Sequence, residues 1–342
     1  MVVCFGDIHF NESKPWSLAV GEEIIKYFRE SPYNNENNVA IFLGDIYDRI
    51  TNTNNVTRLV LLFLSSLRFK KSYFLTGNHD LKMRSGEVVN SLSFINNSKL
   101  KDKYFPNCYL VEELKVIQEE GMNILLLPFI PKTKDRSMKE VYENLPSHIL
   151  ERNWDLVCGH FADTSIFVYD EMIDISKLKS KYVCLGHIHV DVGNNYIGSL
   201  VATSLAEYQT VKHFRVYQKN SITGEVSESK ISIKPSFFDY EYVKYPDPLP
   251  VEKRAIITAY VINNCASESI AREKYGDIFI YKCISNFSIG NFEKGSITVD
   301  GSNTGISVKD MFNLWKEEKK ESLDSDILKE VEHYFSTYSS TN

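Results

Sequence analysis

The run Val39-Ala40-Ile41-Phe42-Leu43 followed by Gly44-Asp45-Ile46-Tyr47-Asp48-Arg49 decides how the chain reads. Five apolar residues closed by a glycine form the pattern of a buried strand. The carboxylate at its end stands where open α/β sheets place their ligands. A lone Asp after a strand is more often a turn or cap residue, but this ending recurs. Val2-Val3-Cys4-Phe5 runs into Gly6-Asp7-Ile8-His9, and Ser72 to Thr76 into Gly77-Asn78-His79-Asp80. Leu156-Val157-Cys158 leads to Gly159-His160, and Tyr182 to Leu185 leads to Gly186-His187-Ile188-His189. Each glycine is expected to let the backbone turn sharply before a side chain able to bind metal.

The whole composition is that of an ordinary globular protein, 342 residues with 43% hydrophobic and 25% charged content. That length allows one large core and a second, smaller domain. No apolar stretch approaches the ~20 residues of a membrane span. With a candidate ligand at Asp7 and no charged leader region, a cleaved signal or transit peptide is not expected. The six cysteines form no C-x-x-C pair, and Cys4, Cys158 and Cys184 sit inside strand-like runs. They read as small buried hydrophobes in a reducing, cytoplasmic compartment, that of a host cell if the gene is viral. The net charge of −6 lies mostly beyond residue 236, where 12 Lys/Arg face 17 Asp/Glu. There is no basic stripe of a free-standing nucleic-acid binder. Bound divalent ions would turn the almost neutral first part positive.

Strand and helix patterns alternate through residue 78, with helices expected over Trp16–Arg29 and Val56–Leu67, which argues for a layered α/β core. Further strands are expected over 108–111 and Asn123–Phe129, a helical region over 137–150, and a hairpin over 214–218 and 226–233. Residues Asp239 to Pro250, with three prolines, read as a linker. Beyond it come strands at Ala255–Ile262, Asp277–Ile284 and 296–299 with a short helix. Two helical patterns close the chain, one with Phe312 and Trp315, the other with Val331 and Phe335. The expected domains are 1–236, 237–304 and a helical tail, 305–342.

Asp7, His9, Asp45, Asn78, His160, His187 and His189 make seven N/O donors with no thiolate, a set suited to Mn²⁺, Fe²⁺ or Zn²⁺. Seven exceed one four-coordinate ion and fit two ions sharing a bridging carboxylate, the role expected of Asp45. Two ions about 3.5–4 Å apart can hold a hydroxide and neutralise a phosphate during in-line displacement. His79 can protonate the leaving oxygen, with Asp80 holding its tautomer. Asp48 and Arg49 are expected to support the ligands, Arg49 also meeting a phosphate. His148, His213 and His333 fall outside these motifs and read as ordinary.

The order D-x-H, G-D-x-x-D-R, G-N-H-D, G-H, G-H-x-H resembles the calcineurin-like metallophosphoesterase superfamily. The resemblance implies a β-sandwich flanked by helices and phosphoester hydrolysis with two metals. One metal site takes Asp7, His9 and His189, the other Asn78, His160 and His187. Within the superfamily the chain looks most like SbcD-type nuclease subunits. The features are the motif spacing, Leu127-Pro128-Phe129, Tyr196-Ile197-Gly198-Ser199, and a small α/β capping domain followed by a helical tail. The stretch after Arg49 lacks the His/Pro-Ser pattern of cellular members and favours a phage-type branch. That likeness implies Mn²⁺-dependent cleavage of DNA phosphodiesters, exonucleolytic and sometimes endonucleolytic, with Mg²⁺, Fe²⁺ or Zn²⁺ as the alternative ions. It also implies homodimerisation through helices, and an SbcC-type, SMC-like ATPase bound through Phe312, Trp315, Val331 and Phe335. The rival expectations are a phosphatase or phosphodiesterase acting on a phosphoprotein, nucleotide or small metabolite, and a scaffold that has kept the fold without catalysis. The scaffold should have lost ligands or His79, and all are present.

Overall fold

The computed structural model describes residues 1–49, 53–84, 87–133, 136–164, 172–192 and 195–285. The expected strand at 296–299 and the helical tail at 305–342 lie outside them. The chain opens with β1 (Val2–Phe5), α1 (Ser17–Glu30), β2 (Val39–Phe42), α2 (Asn54–Ser66) and β3 (Lys71–Leu75). A hairpin, β4 (Leu81–Arg84) and β5 (Glu87–Asn90), precedes α3 (Ser98–Tyr104) and β6 (Cys108–Val111). Then come β7 (Lys115–Glu119), β8 (Met122–Leu127), α4 (Met138–Glu143), α5 (Ser147–Leu150), β9 (Trp154–His160) and β10 (Ser180–Gly186). The hairpin β11 (His213–Lys219) and β12 (Val226–Ser232) leads to β13 (Ser236–Lys244), β14 (Ala255–Asn263), α6 (Glu268–Tyr275) and β15 (Phe279–Ile284).

Two sheets face each other, β12-β11-β1-β2-β3-β6 and β10-β9-β8-β7. Strand alternation divides the apolar residues between layers. Val2, Cys4, Val39, Ile41 and Leu75 meet Ile124, Leu126, Leu156, Cys158 and Cys184 of the second sheet. Val3, Phe5, Phe42 and Phe74 turn the other way, onto Ile24 and Phe28 of α1 and Leu59 and Phe63 of α2. Leu125, Leu127 and Val157 cover the far side with Tyr142 and Ile149 of α4 and α5. Burial on both faces explains why these strands read as unbroken apolar runs. The β-sandwich with flanking helices is therefore present. All six cysteines are free, and five of them are buried.

β1, β2 and β3 run parallel, as do β8, β9 and β10, so their carboxyl ends converge. This places the five glycine-ended turns at one edge of the sandwich.

Several elements depart from the sequence reading. α2 starts two residues early because the Thr53 side chain caps it, accepting from the Val56 N–H at 3.3 Å. The 137–150 helix is broken in two ahead of Pro146, since the residue before proline resists helical geometry. The expected linker from Asp239 is largely strand β13, paired in parallel with β14. Its alternating aromatics are the two faces of a strand, and the stretch 245–250 with its prolines at 246, 248 and 250 lies past the strand's end. Trp16 stacks on Phe238, with ring centroids 5.6 Å apart, joining the start of α1 to this third sheet, β13-β14-β15. The short β4–β5 hairpin, α3 and β7 carry too little apolar periodicity to announce themselves. Among the described residues no helix is long and apolar enough to cross a membrane.

Candidate metal centre

Each strand end delivers its side chain by a different local device. Gly44 has a φ of +111°, open to glycine at no steric cost, and a Cβ there would lie 2.4 Å from His160 Nδ1. Gly77 has no unusual φ. Its hydrogen is needed because a Cβ would fall 2.1 Å from Asp45 Oδ1 and 2.3 Å from the Asp45 backbone nitrogen. Of the five motif glycines only Gly44 takes a left-handed turn, so the expectation of five sharp turns gives way to close packing at the other four. The left-handed conformations fall instead on His9 (φ 55°), Asp45 (φ 49°) and His187 (φ 79°). Strained backbone of this kind costs on the order of 1–3 kcal/mol per residue and is held where the surroundings over-determine it. Here the surroundings are the Ile8 and His9 N–H groups on the Asp45 carbonyl, at 3.1 and 3.0 Å.

All seven expected ligands come together. Asp7, His9, Asp45 and His189 offer donor atoms within 4.8 Å of one another, and so do Asp45, His160 and His187. Asp45 belongs to both groups. Asn78 Oδ1 lies 3.0 Å from His160 Nε2 and 2.9 Å from His187 Nδ1. The His160 Nδ1–H donates to the Leu43 carbonyl at 2.7 Å, which turns Nε2 toward Asp45 Oδ2, 3.3 Å away. Asp7, Asp45, His9 and His160 are almost wholly buried.

Charge is crowded here. Burial raises Asp7 to about 6, with the Asp45 charge adding to it against the pull of His160. Burial also works against ionised Asp45, but the charge and hydrogen bond of His160 outweigh it and hold Asp45 below the usual carboxylate range. His160 is lifted to about 9: burial lowers it, and Asp45 and Asp7 more than reverse that. Burial pushes His9 down to about 3, and His187 to about 4.

This donor set fits divalent ions. Two carboxylates, an amide oxygen and four imidazoles share few protons, and the His9 and His189 Nε2 atoms face each other at 3.0 Å. Cations supply what such a cluster of lone pairs lacks. His9, Asp48 and His79 form a third close group at its rim.

The other expected site residues occupy distinct places. His79 is half-buried, its ring centroid 5.0 Å from that of His9. Its Nδ1–H donates to the Asp48 carbonyl at 2.6 Å, leaving Nε2 as the other edge. Asp80 does not hold this ring. Its carboxylate accepts from the Tyr47 and Gly77 backbone N–H groups, both at 3.0 Å, so it braces two loops of the site. Asp48 Oδ1 stands 3.5 Å from His9 Nδ1, and Arg49, largely exposed, lies 3.7 Å from Asp48.

Three residues behind His189 escaped the sequence reading: Thr203, Glu207 and Lys212. Glu207 and Lys212 are buried and paired at 2.6 Å. The only trace in sequence is Ser204-Leu205-Ala206-Glu207, a capping-box spacing that the structure confirms.

A layered sandwich with these donors at the strand ends defines a metal-dependent phosphoester-cleaving class. Residues 1–191, more than half of the chain, match the family model described as calcineurin-like phosphoesterase, and the chain belongs to that family, whose members bind divalent metals. No curated protein matches it. Similar solved structures include a protein of unknown function from Aquifex aeolicus, 17% identical, over 53% of this chain and 87% of that one, TM-score 0.28. Another is phosphopantetheinyl hydrolase (PptH) from Mycobacterium tuberculosis, 14% identical, over 58% and 89%, TM-score 0.32. At these scores neither likeness bears on fold or substrate.

Proposed function

We propose that this protein is a metal-dependent phosphodiesterase acting on DNA, the nuclease subunit of an SbcC/SbcD-type recombination and repair assembly of the phage branch. The observation that carries the phosphoesterase part is the convergence of Asp7, His9, Asp45, Asn78, His160, His187 and His189 from five strand ends. The nuclease part rests on the sequence resemblance. Two divalent ions, Mn²⁺ first among them, would neutralise the phosphate and acidify the attacking water.

The chain's own residues supply the rest. Asp7, His9 and His189 would hold one ion, Asn78, His160 and His187 the other, with Asp45 shared. The Asp48 carbonyl holds the Nδ1–H of His79, so the ring would act as the imidazolium, passing its second proton from Nε2 to the departing deoxyribose oxygen. Asp80 positions the loops bearing Asp45 and Asn78. Asp48, its Oδ1 3.5 Å from His9 Nδ1, would steady His9, and exposed Arg49 would meet an incoming phosphate. An SMC-like ATPase engaging Phe312, Trp315, Val331 and Phe335, outside the described residues, would supply DNA-binding surface. A homodimer and a host-cell cytoplasmic location belong to the same proposal. The rival substrate is a phosphoprotein, nucleotide or small metabolite.

The test is Mn²⁺-dependent digestion of linear duplex DNA beside bis-p-nitrophenyl phosphate, with wild type, His79→Ala and Asp45→Ala. DNA degradation lost in both variants supports the nuclease. Hydrolysis of the small ester alone, unchanged when an SbcC-type partner and ATP are added, shifts the assignment to the small-substrate rival.

A further inference from the structure

Behind the metal centre lies a chain of side chains that ends on His189, with Glu207 Oε1 itself 3.5 Å from His189 Nδ1. His189 Nδ1 is 2.7 Å from Thr203 Oγ1, and Thr203 Oγ1 is 2.5 Å from Glu207 Oε1. Two oxygens that close need a proton between them, and an ionised carboxylate has none to give. The Thr203 hydroxyl therefore donates to Glu207. Having one proton, it can only accept from His189, whose Nδ1 must carry the hydrogen. In the neutral ring Nε2 is then the lone pair, 3.5 Å from Asp7 Oδ2 and facing His9 Nε2.

Glu207 is itself held from both sides. Oε1 accepts the Thr203 and Ser204 backbone N–H groups at 3.0 and 3.1 Å. Oε2 takes Lys212 Nζ at 2.6 Å and the Ser199 hydroxyl at 3.0 Å. Lys212 Nζ also reaches the His189 carbonyl at 3.3 Å, so the same ammonium grips both the carboxylate and the backbone of the ligand. A buried ion pair is a costly way to stabilise a fold, and this one lies against both the ring and the carbonyl of His189.

We infer that Thr203, Glu207 and Lys212 are positioning residues that set the tautomer and the aim of His189, and thereby the affinity of the ion site it shares with Asp7 and His9. The inference rests on the reading of this cluster as a metal centre, but its first readout requires no metal. Glu207 and Lys212 are poor first targets, because removing either leaves the other charge buried. Thr203→Val keeps the shape and removes the hydroxyl, and Thr203→Ser restores the hydroxyl.

The experiment uses full-length, EDTA-treated protein with ¹⁵N-histidine, and long-range ¹H–¹⁵N correlation assigned with His189→Gln. Wild type and Thr203→Ser are expected to show His189 protonated at Nδ1; Thr203→Val is expected to shift it to a mixture or to Nε2–H. Calorimetric titration with Mn²⁺ should then show one ion weakened about 10–100-fold in Thr203→Val, the other unchanged, and Thr203→Ser near wild type. An unchanged tautomer in folded Thr203→Val overturns the inference. So does a changed tautomer with unchanged Mn²⁺ affinity. Failure of the wild type to bind Mn²⁺, with the tautomer shift intact, would instead count against the metal centre itself and leave the positioning of His189 standing.

Discussion

The imidazoles of His9 and His189 meet nitrogen to nitrogen, their Nε2 atoms 3.0 Å apart across 180 residues of chain. Such an approach has at most one proton to share, and Asp7 Oδ2 stands within 3.8 Å of His9 Nε2 and 3.5 Å of His189 Nε2. A cation between them relieves the crowding. Binding to the folded state alone stabilises by about 2.7 kcal/mol at a hundredfold excess over Kd. At an unfolding entropy of ~2.1 cal/mol/K per residue, a chain of 342 residues gains roughly 1.5 °C per kcal/mol, so each Mn²⁺ should raise Tm by about 4 °C. Thermal scans with Mn²⁺ and with EDTA check this, and Asp45→Asn should erase most of the gain.

The pH dependence of the metal-free protein follows from His160. Its folded value, about 9, lies above the ordinary 6.5 because Asp45 and Asp7 outweigh its burial. The folded state then binds a proton the unfolded chain gives up, so this contribution is full below pH 6.5 and is lost as pH rises toward 9. His189, also raised, has the same sign, whereas His9 and His187 are lowered and act below pH 6.5. Urea midpoints of EDTA-treated protein should fall from pH 6.5 to pH 8. With saturating Mn²⁺ the fall should vanish, since the ion expels that proton, and apparent Mn²⁺ affinity should climb about tenfold per pH unit between 7 and 8. A metal-free midpoint that rises over this window would contradict the assignment.

Gly77→Ala tests how closely the strand ends are packed. The added methyl meets the Asp45 backbone as well as its carboxylate, and the backbone cannot swing aside as a flexible side chain would. Overpacking of this kind costs about 1–3 kcal/mol. Displacement of Asp45, shared by both donor groups, should weaken both ions together. Urea denaturation and Mn²⁺ titration separate the two effects; a variant that loses stability yet binds both ions normally would show that Asp45 had not moved.

Much of this centre was legible because its signals are local. Leu43-Gly44-Asp45 and Leu185-Gly186-His187 each put an apolar run, a glycine and a donor in consecutive positions, and the period of a strand fixes which end they share. What stayed hidden depends on contacts distant in sequence. Asp80 sits beside His79 in the chain, yet its partners are the backbones of Tyr47 and Gly77, a choice only the folded loops can make. Glu207 and Lys212 look like surface charges until both are buried behind His189. Asp239 to Pro250 read as a linker because three prolines at its end masked a strand's alternation, whereas pairing with Ala255–Asn263 makes its first half, through Lys244, a strand.

His79 is where proton transfer can be separated from metal binding. Its side chain bonds the Asp48 carbonyl, while its backbone N–H donates to Asp45 Oδ1 at 2.8 Å. His79→Ala removes the imidazole and keeps the backbone bond, so both ions should still bind with near-native affinity. Losing a positioned general acid typically costs about 10²–10⁴-fold in rate, and that loss should appear in kcat on DNA, whose alkoxide leaving group needs a proton. A p-nitrophenyl ester expels a stable anion and needs little help, so the same variant should lose far less on bis-p-nitrophenyl phosphate. Equal losses on the two substrates would place His79 in phosphate binding instead of acid catalysis.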